Sequence, residues 1–189
     1  MKKINVLAAL LFITGSVFAQ SWSLDKAHAK LGFGVTHLLI SEVQGSFKSF
    51  DVTLISSKDD FSDASIDLSA DVNTIYTDQE KRDADLRSEG YFDVAKYPKL
   101  TFKSKSFSKV EGKKYKLAGD LTIHGVTKAV VLDVIYNGTI VHPFNKKNVA
   151  GFKITGTIKR SDFGVGAKTP EAVVSDEITI NANAEFIKG

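Results

Sequence analysis

The sequence predicts an all-β domain of about eight antiparallel strands. Apolar residues recur at every second position through most of the chain, and several joints between these stretches are short and rich in turn residues. Such alternation gives each strand one apolar and one polar face, and short joints connect antiparallel neighbours. A closed up-and-down barrel fits this pattern, and a two-sheet sandwich fits it nearly as well.

The alternation can be followed strand by strand. In the first predicted strand Leu31, Phe33, Val35 and His37 share one face. In the second strand the alternation slips by one residue near Lys48-Ser49, which predicts a β-bulge there. The later strands alternate over 66–72, 100–102, 115–123, 130–136, 152–158 and 178–186. The predicted spans are 29–38, 42–56, 63–75, 99–107, 114–124, 126–138, 148–160 and 176–187.

The connections between strands are of two kinds. Short joints with turn residues lie at 109–113, 124–125 and 145–148. The connections 76–98 and 161–172 are too long for hairpins, and long loops in a compact domain usually act as lids or binding loops. Neither a linker nor a low-complexity tract divides the chain, so residues 20–189 are predicted to form one domain.

The segment 77–97 is predicted to contain a short helix. Thr77 and Glu80 have the spacing of a capping box, and Asp83 and Arg87 are four residues apart, as an ion pair on one helical face would be. Gly90 can end this helix. Asp83 and Asp85 point to different sides of a helix, so the sequence predicts solvated charges here rather than a catalytic carboxylate pair.

The first 19 residues have the order of a secretory signal peptide. Two lysines precede a short apolar run, and Val17, Phe18 and Ala19 end the segment with a small residue at the expected cleavage site. The apolar run is far shorter than the roughly 20 residues of a membrane-spanning helix. We therefore expect an exported protein whose mature domain begins near Gln20.

Charge and composition exclude several classes of function. Removal of residues 1–19 lowers the formal net charge from +3 to +1, so no global field attracts nucleic acid. The chain has no cysteine, and its four histidines lack the spacing of a metal site. Neither a nucleophile elbow nor a phosphate-binding glycine loop is present, so the sequence predicts no cofactor and no catalytic residue.

The segment 103–116 contains six lysines. They alternate along a predicted hairpin, which is typical of a solvated face. The alternative is that these lysines are attracted to an anionic membrane surface, which predicts a transient contact with a membrane.

The residues predicted to face the barrel interior allow two interpretations. Large apolar residues alternate there with Gly45, Gly119 and Gly156. These glycines either let the strands of a barrel bend or leave space for a bound ligand. Eight strands form a barrel that can hold one small ligand. His37 is either a satisfied interior histidine or a contact for a ligand head group.

Six segments, in order along almost the whole mature chain, resemble the YceI-like, polyisoprenoid-binding family of exported bacterial proteins. The resemblance implies a lipocalin-like barrel of eight antiparallel strands, with helical segments near one end. It also implies an elongated apolar tunnel for an isoprenoid or similar lipid, with no metal and no established reaction. The segments are WSLDKAHAKLGFGVTH (22–37), VQGSFKSFD (43–51), DADLRSEGYFDVAKYPKLTFKS (83–104), GDLTIHGVTKAVVL (119–132), IKRSDFGVG (158–166) and VSDEITI (174–180).

We therefore expect a periplasmic carrier or sequestering protein for a long apolar molecule, such as an isoprenoid quinone or a polyprenyl lipid. His37, Arg87 and Arg160 are candidates for polar contacts at a tunnel end, and Phe92 is expected to face the guest from the rim. The alternatives are a filled barrel that serves in interaction or stress protection, or an enzyme that acts on isoprenoid lipids. The predicted ligand-binding residues are Phe33, Val35, His37, Phe47, Leu68, Val72, Arg87, Phe92, Leu100, Phe102, Leu121, Ile123, Phe152, Ile154, Arg160 and Phe163.

Overall fold

The computed structural model describes residues 20–189, and the predicted signal peptide, 1–19, lies outside the described residues. Within this range the chain forms eleven strands, one α-helix and three 3₁₀ turns. The strands are β1 (Gln20–Leu24), β2 (Lys30–His37), β3 (Ser41–Phe47), β4 (Phe50–Ser56), β5 (Ser65–Asp71), β6 (Ile75–Tyr76), β7 (Lys99–Glu111), β8 (Lys114–Ile123), β9 (Val126–Val141), β10 (Asn148–Lys159) and β11 (Val174–Lys188). The helix is α1 (Glu80–Arg87), and the 3₁₀ turns are Lys26–His28, Val72–Thr74 and Arg160–Phe163.

Eight of the strands close into an antiparallel barrel, which confirms the predicted fold class. Their order is β1-β4-β5-β7-β8-β9-β10-β11, and β1 pairs again with β11 to complete the ring. Trp22 lies at this closure, opposite Leu54 of β4 on one side and Lys188 of β11 on the other. Closure through β1 decides between the barrel and the sandwich, because a closed sheet has no free edge.

Strands β2, β3 and β6 extend the wall of the barrel beyond this ring. The last residues of β11 pair with β1, and its earlier residues pair with β2. The predicted single strand 42–56 is therefore two strands, because β3 pairs with β2 and β6, whereas β4 pairs with β1 and β5. The slip of the alternation near Lys48-Ser49 marks the break between them, so the prediction of one bulged strand was wrong.

The two ends of the barrel carry different connections. The upper end carries the turn 38–40, the connection 77–98, the turn 124–125 and the loop 164–173. The lower end carries the segment 57–64, the turn 112–113 and the loop 142–147. His124 and Gly125 both have positive φ, at 51° and 75°, which confirms the predicted two-residue turn between β8 and β9.

The connection 77–98 contains the predicted helix, but its N-terminus is built differently. Gln79 is the N-cap, and its side-chain oxygen accepts a hydrogen bond from the Arg82 amide at 2.6 Å. Thr77 instead donates its amide and its hydroxyl to the buried Asp83 carboxylate, at 2.9 and 2.5 Å. Asp83 is turned inward because these buried donors need an acceptor. The predicted capping box, the Asp83–Arg87 ion pair and the solvated Asp83 were therefore wrong.

Helix α1 ends earlier than predicted. Its last residue is Arg87, and the Ser88 amide donates to the Asp85 carbonyl at 3.0 Å, so Gly90 lies beyond the C-terminus. In the part of the chain that the structure describes, helices are too short or too polar to cross a membrane.

Candidate functional site

The barrel interior contains two adjoining cavities with apolar walls. The lower chamber has a volume of about 110 Å³ and the upper chamber one of about 170 Å³. Four residues line both, so the chambers meet at a common wall. These shared residues are Leu31, Leu68, Phe102 and Ile180.

The alternating direction of side chains along each strand explains why the chamber walls are apolar. Leu31 and Phe33 alternate along β2 with Gly32 and Gly34, and only the residues of one face can point into a closed barrel. Glycine on the inner face makes room for the aromatic rings. A Cβ atom at Gly45 would lie 2.3 Å from the Phe33 ring, so this close approach requires glycine.

Thirteen of the sixteen predicted ligand-binding residues line these chambers. Phe152 and Ile154 line the lower chamber, and Leu68 and Phe102 line both. The nine that line the upper chamber alone are Phe33, Val35, Phe47, Phe92, Leu100, Leu121, Ile123, Arg160 and Phe163.

Three predicted residues lie outside the chamber walls. His37 ends β2, opposite Ser41 of β3 and Val174 of β11. Val72 is buried in the 3₁₀ turn that follows β5. Arg87 ends helix α1, and its Nε is buried without a hydrogen-bond partner.

Arg160 lines the upper chamber, but its guanidinium is occupied by the protein backbone. Its Nη1 donates to the carbonyls of Val165 and Gly166, at 3.2 and 2.6 Å. Its Nη2 donates to those of Thr169 and Val174, at 2.7 and 3.1 Å, and Nε donates to Ser175 at 3.2 Å. All five donors of a guanidinium are thus used. The structure shows Arg160 as the organiser of the loop 164–173, whereas the sequence suggested a contact for a head group.

The aromatic residues of the connection 77–98 cover the upper end. Tyr91 and Phe92 line the upper chamber, and Thr169 donates its hydroxyl to the Tyr91 oxygen at 2.9 Å. Tyr97 packs instead against the turn at His124, with ring centroids 4.7 Å apart. The aromatic residues of this connection thus lie at the rim of the barrel, as predicted. Phe92 faces the upper chamber, and Tyr97 packs beside the rim.

An aromatic plug, which sequence reasoning missed, closes the lower end. Phe61 is fully buried, and its ring lies 5.0 Å from Trp22, 5.2 Å from Tyr136 and 5.1 Å from Phe152. Tyr115 fixes the same segment by donating its hydroxyl to the Asp60 carbonyl at 2.8 Å. Phe61 lies outside any strand, so alternation gave no signal for its burial.

Asp63 holds the plug segment, 57–64, against the end of β4. Its carboxylate accepts hydrogen bonds from the Ser56 hydroxyl at 2.5 Å and from the Ser57 amide at 3.0 Å, and also from the Ser57 hydroxyl. Partial desolvation raises the pKa of this carboxyl. The serine hydrogen bonds outweigh that effect and hold the pKa well below its ordinary value of 3.8.

We expect Asp63→Asn to lower the free energy of unfolding by about 1 kcal/mol at neutral pH, a modest value because the carboxylate is largely solvated. A depressed folded-state pKa stabilises the protein above the unfolded pKa and stops doing so as the pH falls through the folded value. The difference between wild type and variant should therefore shrink below pH 3.8. Urea unfolding at neutral and acid pH, with Asp59→Asn as the control, measures this. A difference that stays constant with pH would contradict it.

A set of potential metal ligands lies away from the chambers. Asp25, His28 and Glu185 place one ligand atom each within 4.8 Å of one another. Asp25 and His28 are already hydrogen bonded at 3.0 Å, which lowers the pKa of Asp25 and raises that of His28. Asp25 also caps the Lys26–His28 turn through the Ala27 amide. The local turn thus accounts for Asp25 and His28, whereas Glu185 comes from β11, which sequence spacing could not have revealed.

The fold and the cavity together define the class of protein. It is a closed, eight-stranded, lipocalin-like barrel with apolar chambers inside, a helical connection over one end and an aromatic plug at the other. In such barrels the interior is wide enough for one small ligand.

Comparison with known proteins identifies the family. The sequence profile of the YceI-like domain matches residues 22–186. Protein YceI of Salmonella newport is 37% identical over 184 residues, which are 96% of this chain and 94% of that protein. The chain belongs to the YceI-like domain family, as its sequence resemblance indicated.

Solved structures share the fold. The crystal structure of BcnA from Burkholderia cenocepacia has a TM-score of 0.75 at 25% identity and covers 86% of this chain and 98% of that one. A polyisoprenoid binding domain from Saccharophagus degradans has a TM-score of 0.64 over 89% of this chain and 98% of that one. Its identity is 17%, so the likeness concerns the barrel alone.

Proposed function

We propose that this protein binds a long apolar molecule, of the isoprenoid or comparable lipid class, and carries or sequesters it in the periplasm. The observation that carries the proposal is the pair of adjoining chambers with apolar walls. Together they approach the roughly 300 Å³ at which ligand pockets begin, and their shared wall suits a chain that extends from one chamber into the other.

The chemistry of the walls favours a hydrocarbon chain. The lining residues with polar groups are Lys30, Tyr91, Arg160 and Asn183. Tyr91 and Arg160 already bond to the loop 164–173. Affinity would thus come from buried apolar surface, at roughly 25 cal/mol per Å².

Two observations favour a binding protein over the alternatives. A barrel filled by its own side chains would leave no adjoining chambers, and here they are present. An enzyme needs a reactive group beside its substrate, and His37, the strongest candidate in the sequence, lies outside the chamber walls. The periplasmic location rests on the predicted signal peptide.

The test is mass spectrometry of an organic extract from natively purified protein, together with titration of a fluorescent polyprenyl probe. We expect a co-purified long-chain lipid and saturable binding of the probe. The absence of both would refute the proposal.

Phe92→Asp should weaken binding of this probe about tenfold. Phe92 lines the upper chamber, so a carboxylate there would be desolvated when the ligand enters. The effect stays moderate because Phe92 is only half-buried, at the rim. Leu39→Asp is the matched control, since Leu39 is exposed at the same end but outside the chamber. Far-UV circular dichroism should be unchanged in both variants, and an unaltered affinity for Phe92→Asp would remove its role at the rim.

A further inference from the structure

The loop 142–147 at the lower end presents apolar side chains to solvent. Phe144 is 89% exposed, and Ile140 and Val141 at the end of β9 are 63% and 60% exposed. We call these three residues the apolar tip. Single exposed apolar residues are ordinary, but three large ones within five positions concentrate exposed apolar surface at one end of the barrel, and such surface marks interaction sites.

Hydrogen bonds hold this loop in one shape. The His142 amide donates to the Lys147 carbonyl at 2.8 Å, and the Lys146 amide donates to the His142 carbonyl at 3.0 Å. The Phe144 amide lies 3.3 Å from His142 Nδ1 and donates to it. The Phe144 ring therefore projects from a fixed turn, and little ordering is needed when a partner binds.

Lysines lie in the loop that carries the apolar tip and on the strand beside β9. Lys146 and Lys147 lie in the loop itself, and Lys113 and Lys114 form the neighbouring end of the β7–β8 hairpin. Lys114 pairs with Glu111 at 2.7 Å, whereas the ion pairs among residues 20–189 include none made by the other three. Lys113 donates to the Asn137 carbonyl at 2.7 Å and so stays beside β9.

The same structure shows that most of the lysine-rich hairpin is a solvated face, as its alternation predicted. Lys105 pairs with Asp120 and Lys116 pairs with Asp133, both at 2.6 Å. Three lysines of the hairpin, Lys103, Lys109 and Lys113, make no ion pair among residues 20–189, and Lys109 and Lys113 lie toward its lower end.

A second apolar turn, at the upper end, has different charge surroundings. Leu38, Leu39 and Ile40 are exposed there, Glu42 follows directly, and the connection 77–98 of the same end has six acidic and four basic residues. Apolar exposure thus occurs at both ends, but the loop that carries the apolar tip contains two lysines and no acidic residue, whereas the connection at the upper end is acidic overall.

We propose that the apolar tip docks this protein on the surface of an anionic lipid bilayer. Phe144, Ile140 and Val141 enter the boundary between head groups and acyl chains, and Lys113, Lys146 and Lys147 face the anionic head groups. This surface lies on the far side of the aromatic plug from the upper chamber, so docking does not depend on what the chambers hold.

The test is co-sedimentation of the purified protein with vesicles of phosphatidylcholine alone, and with vesicles of phosphatidylcholine and phosphatidylglycerol in equal parts. We expect binding to the anionic vesicles that weakens with salt, and little binding to the neutral ones. Phe144→Ser should lower the bound fraction at least fivefold. Reversal of Lys146 and Lys147 to Glu should lower it further, because each lysine near an anionic surface contributes about fivefold.

Leu39→Ser is the matched control, because Leu39 is an exposed aliphatic residue of the opposite turn. Binding of a polyprenyl probe should be the same in all variants, which separates this proposal from the carrier function. In Phe144→Trp, fluorescence should be quenched by brominated phosphatidylglycerol, whereas the buried Trp22 should not. Equal binding to neutral vesicles, a larger loss for Leu39→Ser, or no vesicle binding at all would overturn the proposal, as would docking only on a protein partner.

Discussion

Arg160→Met should lower the free energy of unfolding by about 3 kcal/mol or more. The variant keeps an unbranched side chain but removes the side-chain donor from five backbone carbonyls of residues 165–175, of which Gly166 keeps the Thr169 amide as a second donor. An orphaned buried carbonyl costs roughly 1–3 kcal/mol, and some of these five will recover part of that from water. Urea unfolding measures the loss, and amide hydrogen exchange should show it first in the loop 164–173.

Two variants separate hydrogen bonding from charge. Arg160→Lys keeps the charge but has three donors on a flexible stem, so at least two of the five carbonyls lose their side-chain donor. The free energy of unfolding should therefore fall by less than in Arg160→Met. Lys159→Met removes an exposed neighbouring charge and should have little effect. If Arg160→Lys were as stable as wild type, the five-bond arrangement would not be what holds this loop.

Arg160→Met should also disturb the upper chamber. Phe163, Val165 and Val174 line the upper chamber from the segment that Arg160 organises. A loosened loop would admit water beside these residues, and ligand affinity should fall even though Arg160 donates to backbone carbonyls alone among the described residues. This separates a positioning role from a direct contact with a head group.

The residues that face the barrel interior from the strands could be predicted from the sequence. Phe33 and Val35 alternate with small residues, and the closure of the barrel leaves only one side on which they can point. The same logic held for Phe102 and Phe152. The inward faces also contain Leu31, Ile178 and Ile180, which line the chambers and were visible in the alternation without being chosen as site residues.

The polar and loop residues were not predictable in this way, because no period fixes the direction of a side chain outside a strand or helix. Asp83 was expected to face solvent and is buried against Thr77. Phe61 has a φ of 58°, a left-handed backbone conformation that phenylalanine rarely adopts. The sequence carries no signal for this conformation. Arg160 follows the last residue of β10, where its direction depends on the path of the next fifteen residues.

Leu68→Trp should weaken binding of a long polyprenyl chain at least a hundredfold and leave a short isoprenoid nearly unaffected. Leu68 lines both chambers, opposite Val52 on one neighbouring strand and Phe102 on the other. An indole at this position would fill the space where the chambers meet. If about four methylene groups are excluded from the lower chamber, at roughly 0.8 kcal/mol each, the loss is about 3 kcal/mol, which is more than a hundredfold.

The dependence on chain length is what makes this variant informative. A general disturbance of the barrel by overpacking, which costs typically 1–3 kcal/mol of stability, would weaken short and long ligands alike. Ile55→Trp is the matched control, because Ile55 lies on β4 with its side chain exposed. Titration of both variants with a one-unit to many-unit series of isoprenoid alcohols would show where affinity stops growing with length. Because the upper chamber remains open in Leu68→Trp, its affinity should level off at a shorter chain than in wild type, and an identical length profile would show that ligands do not pass from one chamber to the other.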